Sequence, residues 1–304
     1  MKHVLHRLAF MVPLLLGISL AAFALIRLAP GGPFDRERQV PPEIERQLNA
    51  KYHLDQPVWR QFLIYLRGLV RGDLGPSMRY RNHTVNDLLI AGLPVSLTLG
   101  LLAFSLAMGL GVPVGFAAAI RRGRWPDQWG SLAALTAICV PTFVAGPVLV
   151  MVLGVKLRWF PVALWGSPWH LVLPVVTLGL YFAGRVARLM REGMLKTLPA
   201  EFIVTARAKG LSEGHIFWRH AFRLGVLPVV SYAGPLLADL LTGSFVVENL
   251  FQLPGLGVFM VNSSLNRDYT MVVGLVLLYA VVLLVLNLIV DLAYAWLDPR
   301  VRHE

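Results

Sequence analysis

Polar and apolar positions in this chain are sorted into long blocks. Charges fall in clusters, and the stretches between them are long enough to cross a hydrocarbon core, which takes about 20 apolar residues per helix. Six such stretches can be drawn: Leu8–Ile26, Leu93–Ile120, Leu132–Val155, Leu171–Gly184, Val226–Val247 and Val272–Val290, the last running on to Leu297. The fourth is short, with Pro161 and Pro168 before it and Pro174 within it, and Asp239 interrupts the fifth. Between the first and second stretches, the pattern predicts a small helical insert. Pro41-Pro42-Glu43 starts a helix with Ile44, Leu48 and Tyr52 on one face, and Pro57 opens a second with Trp59, Phe62, Leu63 and Leu66 together. Gly68, Gly72, Gly75 and Pro76 end it, and Val85–Ile90 leads back toward the second stretch.

The predicted fold is therefore all-α and integral to a membrane, with six transmembrane helices. It divides into a first helix at 1–28, an extracytoplasmic helical insert at 29–90, a five-span core at 91–297 that includes a cytoplasmic loop at 185–224, and a tail at 298–304. The insert serves as a cap on the bundle or as a docking surface for a soluble partner. Composition agrees with the class: 56% of residues are hydrophobic and 15% charged. A net charge of +11 invites a nucleic-acid reading, but Lys and Arg lie in loops between apolar spans without aromatic-basic interleaving. Topology explains the charge better. Lys2 and Arg7, Arg121, Arg122 and Arg124, the eight basic residues of 185–223, and Arg300 with Arg302 all fall on one side if both termini are cytoplasmic. The short loops opposite hold only Lys156, Arg158 and Arg267. Lys2, Arg7 and Ala22-Phe23-Ala24 imitate a secretory signal, but the apolar run exceeds the usual 7–15 residues and reads as a span. The single cysteine, Cys139, sits in an apolar span, so neither an intrachain disulfide nor a Cys-based metal cage is available.

The 185–223 loop carries the chemistry that needs explaining. Pro199 is placed as a first helical residue, Glu201 puts negative charge in the first turn, and Gly210 supplies a terminator that tolerates positive φ. A helix of about three turns follows, with Phe202, Ile203 and Ala206 as its apolar stripe and Arg207 and Lys209 near its C-terminal end. Ser212 reads as the N-cap of a second helix carrying Ile216, Phe217, His220 and Leu224 at helical spacing. The product is a helical hairpin that stands out of the lipid, either packed on its own bundle or offered to a partner. No G-x-x-x-x-G-K-[ST] phosphate loop and no G-x-S-x-G elbow occurs in the chain. His170 and His220 fall on opposite sides of the membrane, which removes a Ser-His-Asp site, and no spacing supplies further metal ligands.

Glu201-Phe-Ile-Val-Thr-Ala-Arg-Ala-Lys-Gly210, His220-Ala221 and Leu227-Pro228 resemble the cytoplasmic loop of ABC importer permeases of the peptide/nickel group. The resemblance extends through Arg27-Leu-Ala-Pro-Gly31, Lys51-Tyr-His-Leu-Asp-Gln-Pro57, Gly72-Asp-Leu-Gly-Pro-Ser77, Thr242-Gly-Ser244 with Glu248, Pro254-Gly-Leu-Gly257, Asn266-Arg-Asp-Tyr269 and Asp298-Pro-Arg300. Phe34 to His53, Gly75-Pro-Ser77 and Ser231 to Ser244 are most similar to the B permease of oligopeptide importers. The resemblance implies a type I importer permease in a bacterial inner membrane. It would pair with a sister permease and two cytoplasmic ATPases, which use ATP and Mg, and receive peptide from an extracytoplasmic binding protein. This chain would bind no cofactor, metal or nucleic acid itself. The resemblance assigns ATPase coupling to Glu201, Thr205, Ala206, Arg207, Ala208, Lys209, Gly210 and His220, with Glu201 and Arg207 as polar anchors.

For a translocation path, the hydrogen-bonding residues of the spans include Ser105, Thr136, Thr142, Thr177, Tyr181, Ser231, Asp239, Thr242, Ser244 and Asn287. Of these, Asp239, Thr242, Ser244, Ser105 and Thr142 are taken as path residues. A Ser or Thr in a span often only bonds back to its own helix, whereas an intramembrane carboxylate faces a bundle interior or path. Two alternatives stay open: a permease for nickel or another small solute, and an ion-coupled secondary transporter working through Asp239 with Glu248, Asn287 and Asp291 as companions. Six spans without a repeat fit poorly with most such carriers.

Overall fold

The computed structural model describes residues 2–28, 42–241 and 245–297. Helix α1 spans Lys2–Leu28, α2 Pro42–Lys51, α3 Val58–Val70, α4 Val85–Ile120, α5 Trp125–Cys139, α6 Thr142–Leu149 and α7 Trp169–Thr197. Then follow α8 Glu201–Ala208, α9 Glu213–His215, α10 Phe222–Gly225, α11 Leu227–Leu241, α12 Phe245–Leu250, α13 Leu256–Leu265 and α14 Tyr269–Leu297. Wider π-helical turns, Val150–Lys156 and Ile216–Ala221, continue α6 and α9. Among the described residues the β pairing is one isolated bridge, Pro76 to Thr84.

Ala9–Leu28, Val85–Ile120, Trp169–Thr197, Leu227–Leu250 and Tyr269–Leu292 are long and apolar enough to cross a membrane. The expected third span is not one straight helix. Its two halves, Trp125–Cys139 and Thr142–Lys156, meet at 100°, and the described helices make six spans if this bent pair is one. Pro141 is the cause: the residue before a proline is driven out of the α region, and Val140 is extended at φ −85°, ψ 112°. The expected fourth span also differs, since its helix runs past Gly184 to Thr197. Buried Val186, Ala187, Met190 and Met194 at helical spacing hold that extension to the protein although charges have begun on its other face.

By compactness the chain forms two units, Met1–Val95 with Pro254–Leu284, and Ser96–Leu253 with Val285–Glu304. In the first, Val85, Leu88 and Leu89 at the start of α4 bury against Leu256, Met271 and Leu275. The N-terminus of α4 is closed by a reciprocal capping box: the Asp87 N–H donates to Thr84 Oγ1 at 3.2 Å and the Thr84 N–H to Asp87 Oδ2 at 2.9 Å. Asp268, fully buried, caps α14 through the Met271 N–H at 3.2 Å. It also accepts the Ser77 hydroxyl and the Met78 and Arg79 N–H groups at 3.1 and 3.3 Å, which fixes the 77–80 turn onto the start of α14.

In the second unit α7 is the hub, packing on α5, α6, α10, α11 and α12. Small residues let its backbone be approached. A Cβ at Gly111 or Gly115 of α4 would stand 2.7 Å from the Ala183 carbonyl oxygen or 2.1 Å from that of Ala187, the close crossing expected of a G-x-x-x-G stripe in lipid. Asp127 in the first turn of α5 receives Arg191 of α7 bidentately at 2.6 and 3.0 Å, with the Gly123 N–H at 2.9 Å and Ser131 Oγ at 3.2 Å completing its shell.

Candidate functional site: the loop hairpin and the span carboxylates

The 198–225 hairpin is built on the end of α7. Thr197 Oγ1 donates back to the Gly193 carbonyl at 2.9 Å, the chain turns at Leu198, and extended Ala200 (φ −65°, ψ 146°) starts α8. Pro199 lies just outside the helix instead of in its first position, and α8 is correspondingly shorter than expected, eight residues from Glu201 to Ala208. Its C-terminus closes as the glycine predicts. Gly210 takes φ +79°, its N–H reaches the Arg207 carbonyl at 2.9 Å, and the Leu211 N–H reaches that of Ala206 at 3.3 Å, the paired bonds of a Schellman motif. Across this turn Arg207 grips Glu213 through two hydrogen bonds, 2.7 and 3.1 Å. Those bonds hold the Glu213 carboxyl below its usual range and raise the Arg207 guanidinium. The anchor expected to reach a partner is thus engaged within the hairpin.

Only part of the expected apolar stripe turns inward. Ile203 and Ala206 are buried, while Phe202 and Val204 are exposed, as are Glu201, Thr205, Arg207, Ala208, Lys209, Gly210 and Leu211. Thr205 Oγ1 returns to the Glu201 carbonyl at 2.9 Å. On the second arm, Ser212 is the N-cap residue in extended conformation, as expected, though its side chain makes no cap bond. The π-helical turn then shifts the face by one residue. Ile216, Ala221 and Gly225 become the buried set, and Phe217, His220 and Leu224 are half-buried. The His220 ring stands 5.6 Å from that of His215. The Trp218 ring lies tilted against Phe116 of α4 at 4.5 Å and Phe222 at 5.5 Å between centroids, which ties the second arm to α4.

The hairpin's tightest contact with α7 was not legible in the sequence. A Cβ on Gly193 of α7 would lie 2.1 Å from the Gly225 carbonyl oxygen, and one on Gly225 would lie 2.5 Å from Met194 Sδ. The hairpin and α7 thus touch backbone to backbone. Arg185, where α7 begins to carry charge, donates to Tyr181 Oη at 2.5 Å and lies over its ring at 4.8 Å, with Tyr232 Oη of α11 at 3.5 Å.

The described path residues differ in setting. Ser105 on α4 donates to the Leu101 carbonyl at 2.8 Å, so its hydroxyl is returned to its own helix, as are those of Thr136, Thr177 and Ser231. Thr142 is half-buried at the start of α6, beside the bend. Thr242 and Ser244 lie outside the described residues. Asp239 is exposed on α11, on a stripe with Ser231 and Pro235, while neighbouring Ala238 and Leu240 are buried. Glu248 has the opposite setting: it is fully buried and accepts the Ser96 hydroxyl at 2.8 Å.

Apolar spans, with a hub helix in the second unit that ends in an exposed, glycine-closed hairpin, are the features of a membrane permease subunit. Residues 111–303 match the binding-protein-dependent transport system inner membrane component family, and the chain belongs to it. It is a multi-pass protein with the type I ABC importer permease fold. Among its relatives, the oligopeptide transport system permease protein OppB of Haemophilus influenzae is 42% identical over 306 residues, all of both chains. The dipeptide transport system permease protein DppB of Bacillus subtilis is 38% identical over 301 residues, 99% of this chain and 98% of that one. A chain of the MetNI methionine ABC transporter, solved in inward-facing conformations, superimposes with a TM-score of 0.55 over 69% of this chain and 96% of its own. At 18% identity that likeness is one of fold.

Proposed function

We propose that this chain is the membrane subunit of an ATP-driven peptide importer. It pairs with a sister permease, is served by two cytoplasmic ATPases, and receives oligopeptides or dipeptides from an extracytoplasmic binding protein. End-to-end identity with oligopeptide and dipeptide permeases carries this reading. Family membership also sets aside the ion-coupled carrier reading of Asp239.

In this reading both termini and the hairpin are cytoplasmic. The exposed face of α8, with Phe202, Val204 and Leu211 beside Glu201, Thr205, Ala208 and Lys209, enters a groove on an ATPase. Arg207 acts mainly by bracing the turn through Glu213, and buried Ala206 sets the spacing to the second arm. Closure of the ATPases pushes on this face and reaches the spans through the Gly193–Gly225 contact and α7. ATP and Mg are handled by the partner ATPases. Asp239 lies on the face of α11 that lines the path or meets the sister permease, since an exposed carboxylate in lipid costs several kcal/mol, about 2.5–3.5 on insertion scales. About two turns away on the same face stands Tyr232, bridged to Arg185, so the path offers both signs of charge to the two ends of a peptide.

The test is uptake of labelled peptide into proteoliposomes holding the whole transporter, with Gly210→Val and Glu201→Lys in this chain. Both variants should insert and pair with the sister permease yet lose ATP-driven uptake. Wild-type ATPase association and transport in both would remove the coupling role; uptake of other solutes but no peptide by the unaltered complex would remove the cargo.

A further inference from the structure

In the first unit a cavity of about 520 Å3 opens between the last turn of α1, one side of α3 and the loop after α3. Its size falls within the ~300–1,000 Å3 of small-molecule sites. Arg27, Arg67 and Arg71 line it, and none of them enters an ion pair among the described residues. Arg27 is held by aromatic faces, its Cζ 5.2 Å from the Phe23 ring and 5.7 Å from the Tyr269 ring. The carboxylate on the lining, Asp73, accepts the Gly75 N–H at 2.8 Å.

Two buried atoms of the same wall have no partner. Gln61 is 7% exposed, and its Nε2 donates to the Leu54 and Gln56 carbonyls at 3.3 and 2.7 Å. Those bonds fix the amide's orientation and leave Oε1 a buried acceptor without a donor. Tyr65 Oη is buried and unpaired as well. Burial pushes its phenol far above the usual range, so it remains a hydrogen-bond donor at physiological pH. Buried polar groups are rarely left this way without a ligand or ordered water to meet them.

The helices around the cavity carry the pattern of a water–lipid boundary. Helix α1 is a span whose Leu14, Leu20 and Leu25 are exposed. Helix α3 turns Trp59, Leu63 and Val70 outward on one face, with Arg60, Arg67 and Arg71 on the strip beside it. An apolar face with a tryptophan, flanked by arginines, is the pattern of a helix lying in the membrane interface.

We propose that this cavity binds the headgroup of an anionic phospholipid of the phosphatidylglycerol type, with the phosphate held by Arg27, Arg67 and Arg71. Tyr65 Oη donates to a phosphate oxygen, and a headgroup hydroxyl supplies the missing donor to Gln61 Oε1. The acyl chains follow the exposed side of α1. An ethanolamine or choline head brings a further cation to a wall that already holds three guanidiniums, so zwitterionic lipids bind less well. This inference rests on membrane insertion alone and is independent of the cargo.

The intact transporter, purified in mild detergent and delipidated, is titrated with phosphatidylglycerol, phosphatidylcholine or inorganic phosphate while bound lipid is counted by native mass spectrometry. Wild type should retain one phosphatidylglycerol per copy of this chain that the double variant Arg67→Gln/Arg71→Gln binds about tenfold or more weakly. Both arginines are exposed, so the fold does not depend on them. Tyr65→Phe, which removes only the hydroxyl, should weaken the same lipid several-fold, and phosphatidylcholine should not compete. Equal retention by wild type and the double variant overturns the proposal and leaves another protein chain as the cover of this surface. Displacement of the lipid by equimolar inorganic phosphate overturns it in favour of a free-anion site.

Discussion

Replacing Gly193 with alanine tests how the hairpin is joined to the spans. The new Cβ would stand 2.1 Å from the Gly225 carbonyl oxygen, where ordinary contact begins at 3.4 Å. Both sides of that contact are backbone, so no side-chain rotation relieves it and α10 must retreat from α7. Overpacking typically costs about 1–3 kcal/mol, and rigid neighbours place this case at the upper end. About 3 kcal/mol is a shift of roughly a hundredfold in the population of the native packing. Two further glycines separate this effect from others. Gly210→Ala meets nothing within 4 Å but must hold φ +79°, a cost of about 1–2 kcal/mol. Gly214→Ala meets nothing within 4 Å at an ordinary φ and should change stability by less than about 0.5 kcal/mol. The assay is peptide transported per ATP hydrolysed in proteoliposomes, with limited proteolysis of the hairpin as a measure of its docking. Damage should rise from Gly214→Ala through Gly210→Ala to Gly193→Ala. If Gly193→Ala transports as efficiently and resists protease as well as Gly214→Ala, the backbone contact is not the joint.

Asp239→Leu should lower peptide uptake while leaving assembly and basal ATP hydrolysis near wild type, and Asp239→Asn should be milder because a polar group remains; loss of assembly in both would make Asp239 structural. For topology, single cysteines at Gly123 and Ser212 should be shielded from a membrane-impermeant reagent in intact cells, while cysteines at Asp55 and Ser264 should react. Ser264 is the proper reporter, since adjacent Ser263 is fully buried and would stay silent on either side. Labelling of Ser212 from outside would reverse the orientation.

Local chemistry was readable where a single residue dictates a backbone state. Gly210 was expected to end α8 at positive φ and does so at +79°. Apolar block length found the spans because hydrocarbon thickness sets it, but block length carries no direction. Leu132–Val155 is uncharged throughout, and only the restriction that Pro141 places on Val140 turns it through 100°. The end of the fourth span was misplaced for the converse reason. Arg185, Arg188 and Arg191 signal water on one face, while Val186, Met190 and Met194 keep the helix packed on the other. Pairings distant in sequence left no trace in the pattern. Asp127 with Arg191, and Asp268 with the 77–79 turn, join residues whose meeting depends on how helices cross. The cavity beside α3 was hidden similarly. The periodicity that grouped Trp59, Phe62, Leu63 and Leu66 described an amphipathic helix without showing that Phe62 would face Phe23 while Trp59 stayed outside.

Helix α7 runs through the 29 residues from Trp169 to Thr197, about 43 Å at 1.5 Å per residue, with Pro174 in its second turn. A rod of that length turns displacement into angle. If its far end is held while the hairpin end moves by about one helical turn's rise, ~5 Å, it tilts by only about 7°. Small rotations of this kind can be shared among the Gly111, Gly115 and Gly184 crossings, which have no long side chains to disengage. In the proposed coupling, the part of the hub beyond Pro174 would act as a stiff lever on smooth bearings. Its stroke would be set by how far the hairpin end is pushed, and little of that stroke would be spent in bending the segment that follows Pro174.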